Sequence, residues 1–175
     1  SGNSVATRQL NHNLGVQPEL IISKNRGSSN SDWQVMKYAP NTTTSGSIAL
    51  FSQIAANAAL YTGTISGTYG PNATAPTATT YQPGYVSGNS NQVNTSGQTY
   101  IAYLFASLDG ISKVGSYTGT GSNIDVDCGF TAGARFVLIK RADASSTGWG
   151  VIDTVRGLTS STDAYLFLNL TDAQG

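Results

Sequence analysis

Apolar residues in this chain fall in short runs separated by polar turns, and the runs have the length of strands. Leu20-Ile21-Ile22 and Phe136-Val137-Leu138-Ile139 are short, continuous apolar runs of strand length. Each is followed, after a polar gap, by a tryptophan-led run: Trp33-Gln34-Val35-Met36 and Trp149-Gly150-Val151-Ile152. Tyr100-Ile101-Ala102-Tyr103-Leu104-Phe105 and Tyr165-Leu166-Phe167-Leu168 are rich in aromatic residues and have strand composition. Ile124-Asp125-Val126-Asp127-Cys128 alternates strictly and predicts a further strand. Turn chemistry separates the runs at Asn25-Arg26-Gly27, at Tyr117-Thr118-Gly119-Thr120-Gly121 and at Ser145-Ser146-Thr147-Gly148. The pattern predicts an all-β fold, an antiparallel β-sandwich of jelly-roll or lectin-like type.

Helical signal is confined to Phe51–Leu60, where alanine content favours one short helix. From Tyr61 to Gln98 the chain is rich in Gly, Thr, Pro and Asn. Pro71, Pro76 and Pro83 exclude a central strand locally, so long loops with one or two edge strands are expected there.

A shift of 116 residues without a gap superimposes the first third on the last third. Lys24 falls on Lys140, Trp33 on Trp149, Val35 on Val151, and Leu50-Phe51 on Leu166-Phe167. The placement of apolar and tryptophan positions, more than identity, argues for a duplicated unit. Residues 1–115 are read as the first unit, with a Gly/Thr/Pro/Asn-rich insertion at 60–98. Residues 116–175 are read as a second, truncated copy, which lacks a counterpart of the Tyr100–Phe105 strand. A sheet without that strand exposes an apolar edge. The expectation is that more polypeptide follows Gly175 or that another chain supplies the strand.

Composition changes the picture in one respect. Only 10% of residues are charged, against roughly 25% in ordinary soluble domains, so hydroxyls, amides and backbone must wet the surface. Nine basic and nine acidic residues are scattered singly and cancel. No basic stripe exists to neutralise phosphates, and nucleic-acid binding is not expected. The apolar runs are too short to span a bilayer, and no membrane insertion is expected. Ser1-Gly2-Asn3-Ser4 shows no signal-peptide pattern. The single cysteine, Cys128, excludes an internal disulfide and a thiolate zinc cluster.

Candidate chemistry is sparse. His12 is the sole histidine and no serine lies in a nucleophile-elbow context, so no catalytic residue is assigned and a non-enzymatic chain is expected. Asp125 and Asp127 share a strand face, but two carboxylates are a thin set for calcium; no metal and no cofactor are expected. Trp33 and Trp149 are the glycan-stacking candidates, because flat indole faces suit sugar rings. The alternative is that each packs in a core and recurs because its unit recurs.

Several segments together resemble a family of uncharacterised structural proteins of marine tailed bacteriophages. They are Asn11-His12-Asn13-Leu14-Gly15-Val16-Gln17-Pro18-Glu19-Leu20-Ile21-Ile22, Thr99-Tyr100-Ile101-Ala102-Tyr103-Leu104-Phe105-Ala106 and Gly115-Ser116-Tyr117-Thr118-Gly119-Thr120-Gly121. Phe136–Arg141 and Tyr165–Asn169 complete the set in the same order. The second copy departs from the histidine-proline pattern at Cys128–Ala134. The resemblance implies a virion location, in a tail fibre, spike or capsid decoration, and a structural or host-attachment role. It implies other virion subunits as partners, in a homo-oligomer, and host surface carbohydrate as ligand. A polysaccharide depolymerase domain of a tail spike and a secreted bacterial adhesin are the alternatives.

Overall fold

The computed structural model describes residues 1–5, 7–28, 31–38, 48–54, 61–64, 74–83, 93–144, 147–157 and 164–170. The described residues form ten strands and no helix. They are β1 (Leu10–Asn11), β2 (Leu20–Asn25), β3 (Gln34–Tyr38), β4 (Ile48–Gln53), β5 (Tyr61–Thr64), β6 (Thr80–Tyr81), β7 (Tyr100–Phe105), β8 (Phe136–Lys140), β9 (Trp149–Asp153) and β10 (Tyr165–Phe167). A five-stranded sheet has the order β5-β4-β3-β2-β7, a three-stranded sheet the order β10-β9-β8, and β1 pairs with β6. All these pairings are antiparallel. The chain is all-β and sandwich-like, as its periodicity predicts.

The continuous run Leu20-Ile21-Ile22 is explained by cover on both faces of β2. Ile21 is 0% exposed and points into a cluster with Met36, Tyr38, Tyr81 and Val93, against which Leu10, Ala102 and Leu104 pack. The β1–β6 ribbon, through Leu10 and Tyr81, closes this face. Ile22 and Val35 point the opposite way and meet Trp149, with Leu20, Trp33, Ile54 and Leu138 packed around them. Trp149 and Leu138 belong to the three-stranded sheet, so this second cluster is the layer between the two sheets. Burying one such large side chain contributes about 1.5–3 kcal/mol.

The hydrogen-bond register repeats with the sequence shift. Leu20 pairs with Lys37, Ile22 with Val35 and Ser23 with Gln34. Phe136 pairs with Asp153, Leu138 with Val151 and Ile139 with Gly150, each shifted by 116. Tyr38 N donates to Glu19 O at 2.7 Å, and Thr154 N to Arg135 O at 3.0 Å. Ile54 N donates to Trp33 O at 2.9 Å, and Leu168 N to Trp149 O at 3.0 Å. Even the side-chain clasp recurs: Lys24 Nζ donates to Ser31 O, and Lys140 Nζ to Thr147 O. Each lysine spans the loop of its own hairpin.

Three expectations are corrected. The ungapped alignment of Leu50-Phe51 with Leu166-Phe167 fails in the third strand. Gln34 pairs with Gln53, 19 residues on, whereas Gly150 pairs with Phe167, 17 residues on. The second connection is two residues shorter, so Tyr165, opposite Ile152, is the counterpart of Phe51, opposite Met36. An even offset keeps each strand on its original face. The short helix predicted from Phe51 is instead the end of β4, because laddering against β3 outweighs local alanine propensity; residues 55–60 lie outside the described residues. The strand predicted at Ile124–Cys128 is not formed. Ile124 and Val126 are exposed, and alternation without a neighbouring strand supplies no ladder. The edge strands expected within the 61–98 stretch are β5 and β6; residues 65–73 and 84–92 of that stretch lie outside the described residues.

Candidate functional site: an aromatic face on the edge strand

β7 is one of the two edge strands of the five-stranded sheet, and its side chains divide by parity. Ala102 and Leu104 pack inward on the Ile21 cluster, while Ile101, Tyr103 and Phe105 are exposed on the other face. That is the face carrying Ile22 and Val35, because Ile22 lies opposite Tyr103 and Leu20 opposite Phe105. The three-stranded sheet covers β2 and β3 but leaves β7 open to solvent.

Trp33 lies immediately before β3 and is half-buried. Its ring stacks on that of Tyr103, with centroids 6.2 Å apart and planes at 24°. Tyr103 is 46% exposed. The two rings form a flat aromatic step at the open side of the interlayer core. Packing from beneath fixes Trp33, and Tyr103 is held by the β2–β7 ladder, so the step costs little to order. Aromatic faces of this kind bind through their large, rigid surface and negative π cloud, which suits the C–H-lined face of a sugar ring.

Trp149 is placed differently. It is 5% exposed and lies within the interlayer cluster, and its backbone N–H is held by Asn169 Oδ1 at 2.8 Å. Its indole offers no face to solvent. Of the two candidates, the structure brings only Trp33 to the surface, and it adds Tyr103, Ile101 and Phe105. Strand parity alone could have indicated these three residues, because odd positions of β7 must oppose the face that Ala102 and Leu104 occupy.

Several polar side chains elsewhere in the chain serve structure. Glu19 is buried and its carboxylate accepts from Ser107 N at 2.7 Å and from Ser107 Oγ, tying the end of β7 to the start of β2. His12 Nδ1 accepts from Leu14 N at 3.3 Å, so this histidine shapes a turn. Asp127 Oδ1 accepts from Gly129 N at 2.8 Å, again within a turn. A shallow depression of about 320 Å³ is lined by Ser107, Asp109, Lys113, Asp127 and Cys128 among others. Among the described residues, no three His, Cys, Asp or Glu side chains gather as a metal site would require. Partial burial draws the Lys140 ammonium below its usual range while Thr147 Oγ1 accepts from it at 2.7 Å. The exposed Arg141–Asp143 ion pair, 2.6 Å, moves the arginine up and the aspartate down through their shared hydrogen bond.

Residues 1–175, the whole length, match the family described as Domain of unknown function (DUF7483). The chain belongs to the DUF7483 family. No curated protein and no solved structure matches it. Among the described residues, no helix is long and apolar enough to cross a membrane.

Proposed function

We propose that this chain is a non-enzymatic structural and adhesive module of a bacteriophage virion, in a tail fibre, spike or capsid decoration. Its aromatic step contacts host surface glycans, and its partners are other virion subunits. The observation that carries the reading is the Trp33–Tyr103 stack on the uncovered face of β7. A half-exposed tyrosine braced by a half-buried tryptophan is a rigid, uncharged platform, in a chain with few charges to recognise anything by electrostatics. The low charge, the duplicated meander and the order of the motifs support the virion location. Further exposed apolar side chains, Leu108, Ile111 and Phe136 among them, suit a subunit embedded in a larger assembly.

Two measurements test the reading. Gold-labelled antibody on purified particles should decorate the virion; label found only in infected cytoplasm overturns the location. Saturation-transfer NMR with host surface polysaccharide should show transfer to sugar protons, lost in Tyr103→Ala with melting unchanged. Equal transfer to Tyr103→Ala overturns the assignment of the step.

A further inference from the structure

Three aspartate carboxylates in the loops and turns of this chain are held. Asp127 Oδ1 accepts from Gly129 N at 2.8 Å. Asp153 Oδ1 accepts from Val155 N and Arg156 N, each at 3.0 Å, and Asp143 Oδ1 accepts from Arg141 Nε at 2.6 Å. Asp109 differs. The turn that follows β7 is closed by Ile111 N and Ser112 N donating to Leu108 O at 2.9 Å, and by Leu108 N donating to Ser112 O at 2.9 Å. Among the described residues nothing donates to the Asp109 carboxylate, and no acceptor takes the Gly110 N–H beside it. Gly110 has φ +69°, a left-handed conformation at the third position of the turn that selects glycine. Space around it is open, since a Cβ there would meet nothing within 4 Å. Asp109-Gly110 is also the one Asp-Gly step in the chain. The turn stands in water: Leu108 is 58% and Ile111 73% exposed, and Asp109 lines the depression shared with Asp127 and Cys128.

We propose that Asp109-Gly110 is a site of self-modification, at which the aspartate isomerises to isoaspartate through a cyclic imide. The Gly110 nitrogen attacks Asp109 Cγ. The N–Cγ bond forms, the Cγ–OH bond breaks, and the N–H proton and the hydroxyl leave together as one water. Water then opens the imide. Addition at Cγ restores aspartate. Addition at the α-carbonyl breaks the bond from Asp109 C to Gly110 N, leaves the nitrogen on Cγ and yields isoaspartate. Nothing is oxidised or reduced, and solvent is the only co-reactant. Glycine admits the attack because it has no side chain to obstruct the ring. Asp32 and Asp125 also have carboxylates without a partner among the described residues, but Trp33 and the β-branched Val126 follow them and crowd the amide. The product carries the main chain through Cβ and Cγ, one atom longer, with a carboxylate on Cα. A turn closed between Leu108 and Ser112 has no slack for that atom, so its hydrogen bonds open. Ser112 Oγ, which donates to Ala106 O at 2.7 Å, is then released from the end of β7. Asp109 is thus a clock placed beside the aromatic strand. This chemistry is independent of the virion reading.

The test is to hold the folded chain at neutral pH for weeks and follow it by chymotryptic peptide mapping. Electron-transfer fragmentation distinguishes the two linkages, and labelling by an isoaspartyl methyltransferase counts the isoaspartate. It should accumulate at Asp109, preceded by a species lighter by one water, while Asp127, Asp143 and Asp153 stay unmodified. Asp109→Glu, whose longer side chain closes the imide far more slowly, should abolish the accumulation without lowering the melting temperature. In the aged fraction the amides of Ile111 and Ser112 should lose protection from exchange, while that of Tyr38, bonded to Glu19 O, keeps its own. Absence of isoaspartate at Asp109 in the folded chain, or its appearance at Asp127 or Asp153 at the same rate, overturns the proposal. Isoaspartate at Asp109 with Ile111 and Ser112 still fully protected overturns the opening of the turn.

Discussion

Replacing Trp149 by alanine removes an indole that is 5% exposed from the layer between the sheets, and should cost about 3–5 kcal/mol. Trp33→Ala removes a half-buried ring from the rim of the same layer and should cost about 1–2 kcal/mol, since only part of its surface is withdrawn from water. Urea unfolding of the two variants measures the difference; equal losses would contradict the placement. Tyr81 gives a prediction in pH. Burial raises its phenol above the usual value, with Arg8 acting weakly in the other direction. The unfolded chain then releases this proton first, so stability should fall as pH rises past about 10. Tyr81→Phe should flatten that alkaline loss in a melting series between neutral and alkaline pH, and an unchanged slope would contradict it.

At the scale of elements, the hairpins β2–β3 and β8–β9 are one design used twice. Gly148, in the loop of the second, is required by packing. A Cβ there would lie 2.3 Å from Cδ1 and 2.7 Å from Cε1 of Phe167, so Gly148→Ala should displace the ring and cost about 1–3 kcal/mol, read as a drop in melting temperature. The strands and their faces were legible in the sequence wherever burial imposed a pattern. Leu20-Ile21-Ile22 reads as a strand, and it opens β2. The 116-residue shift gives the register of both hairpins because their loops have equal length. It fails at β10 because the next connection is two residues shorter, and nothing in a polar, Ser- and Thr-rich loop marks a deletion. The Ile124–Cys128 alternation misleads because a strand needs a neighbour as well as a pattern. The surface aromatic step was half legible: tryptophan chemistry indicated Trp33, but not that Tyr103 joins it and Trp149 does not, since that depends on where the second meander packs.

At the scale of the whole molecule, the two meanders share a core. Ile22 and Val35 from one copy close over Trp149 and Leu138 from the other, so neither copy buries its apolar face alone. In the first copy β7 pairs with the outer edge of β2, and among the described residues no strand pairs with the corresponding edge of β8 in the second. The most direct test of the shared core is native-state amide exchange in Trp149→Ala. Tyr38 and Ile54 in the first copy, and Thr154 and Leu168 in the second, have equivalent backbone hydrogen bonds. If the copies form one cooperative unit, all four amides should lose protection by the same free energy. Loss confined to Thr154 and Leu168, with Tyr38 and Ile54 protected as in the wild type, would contradict it.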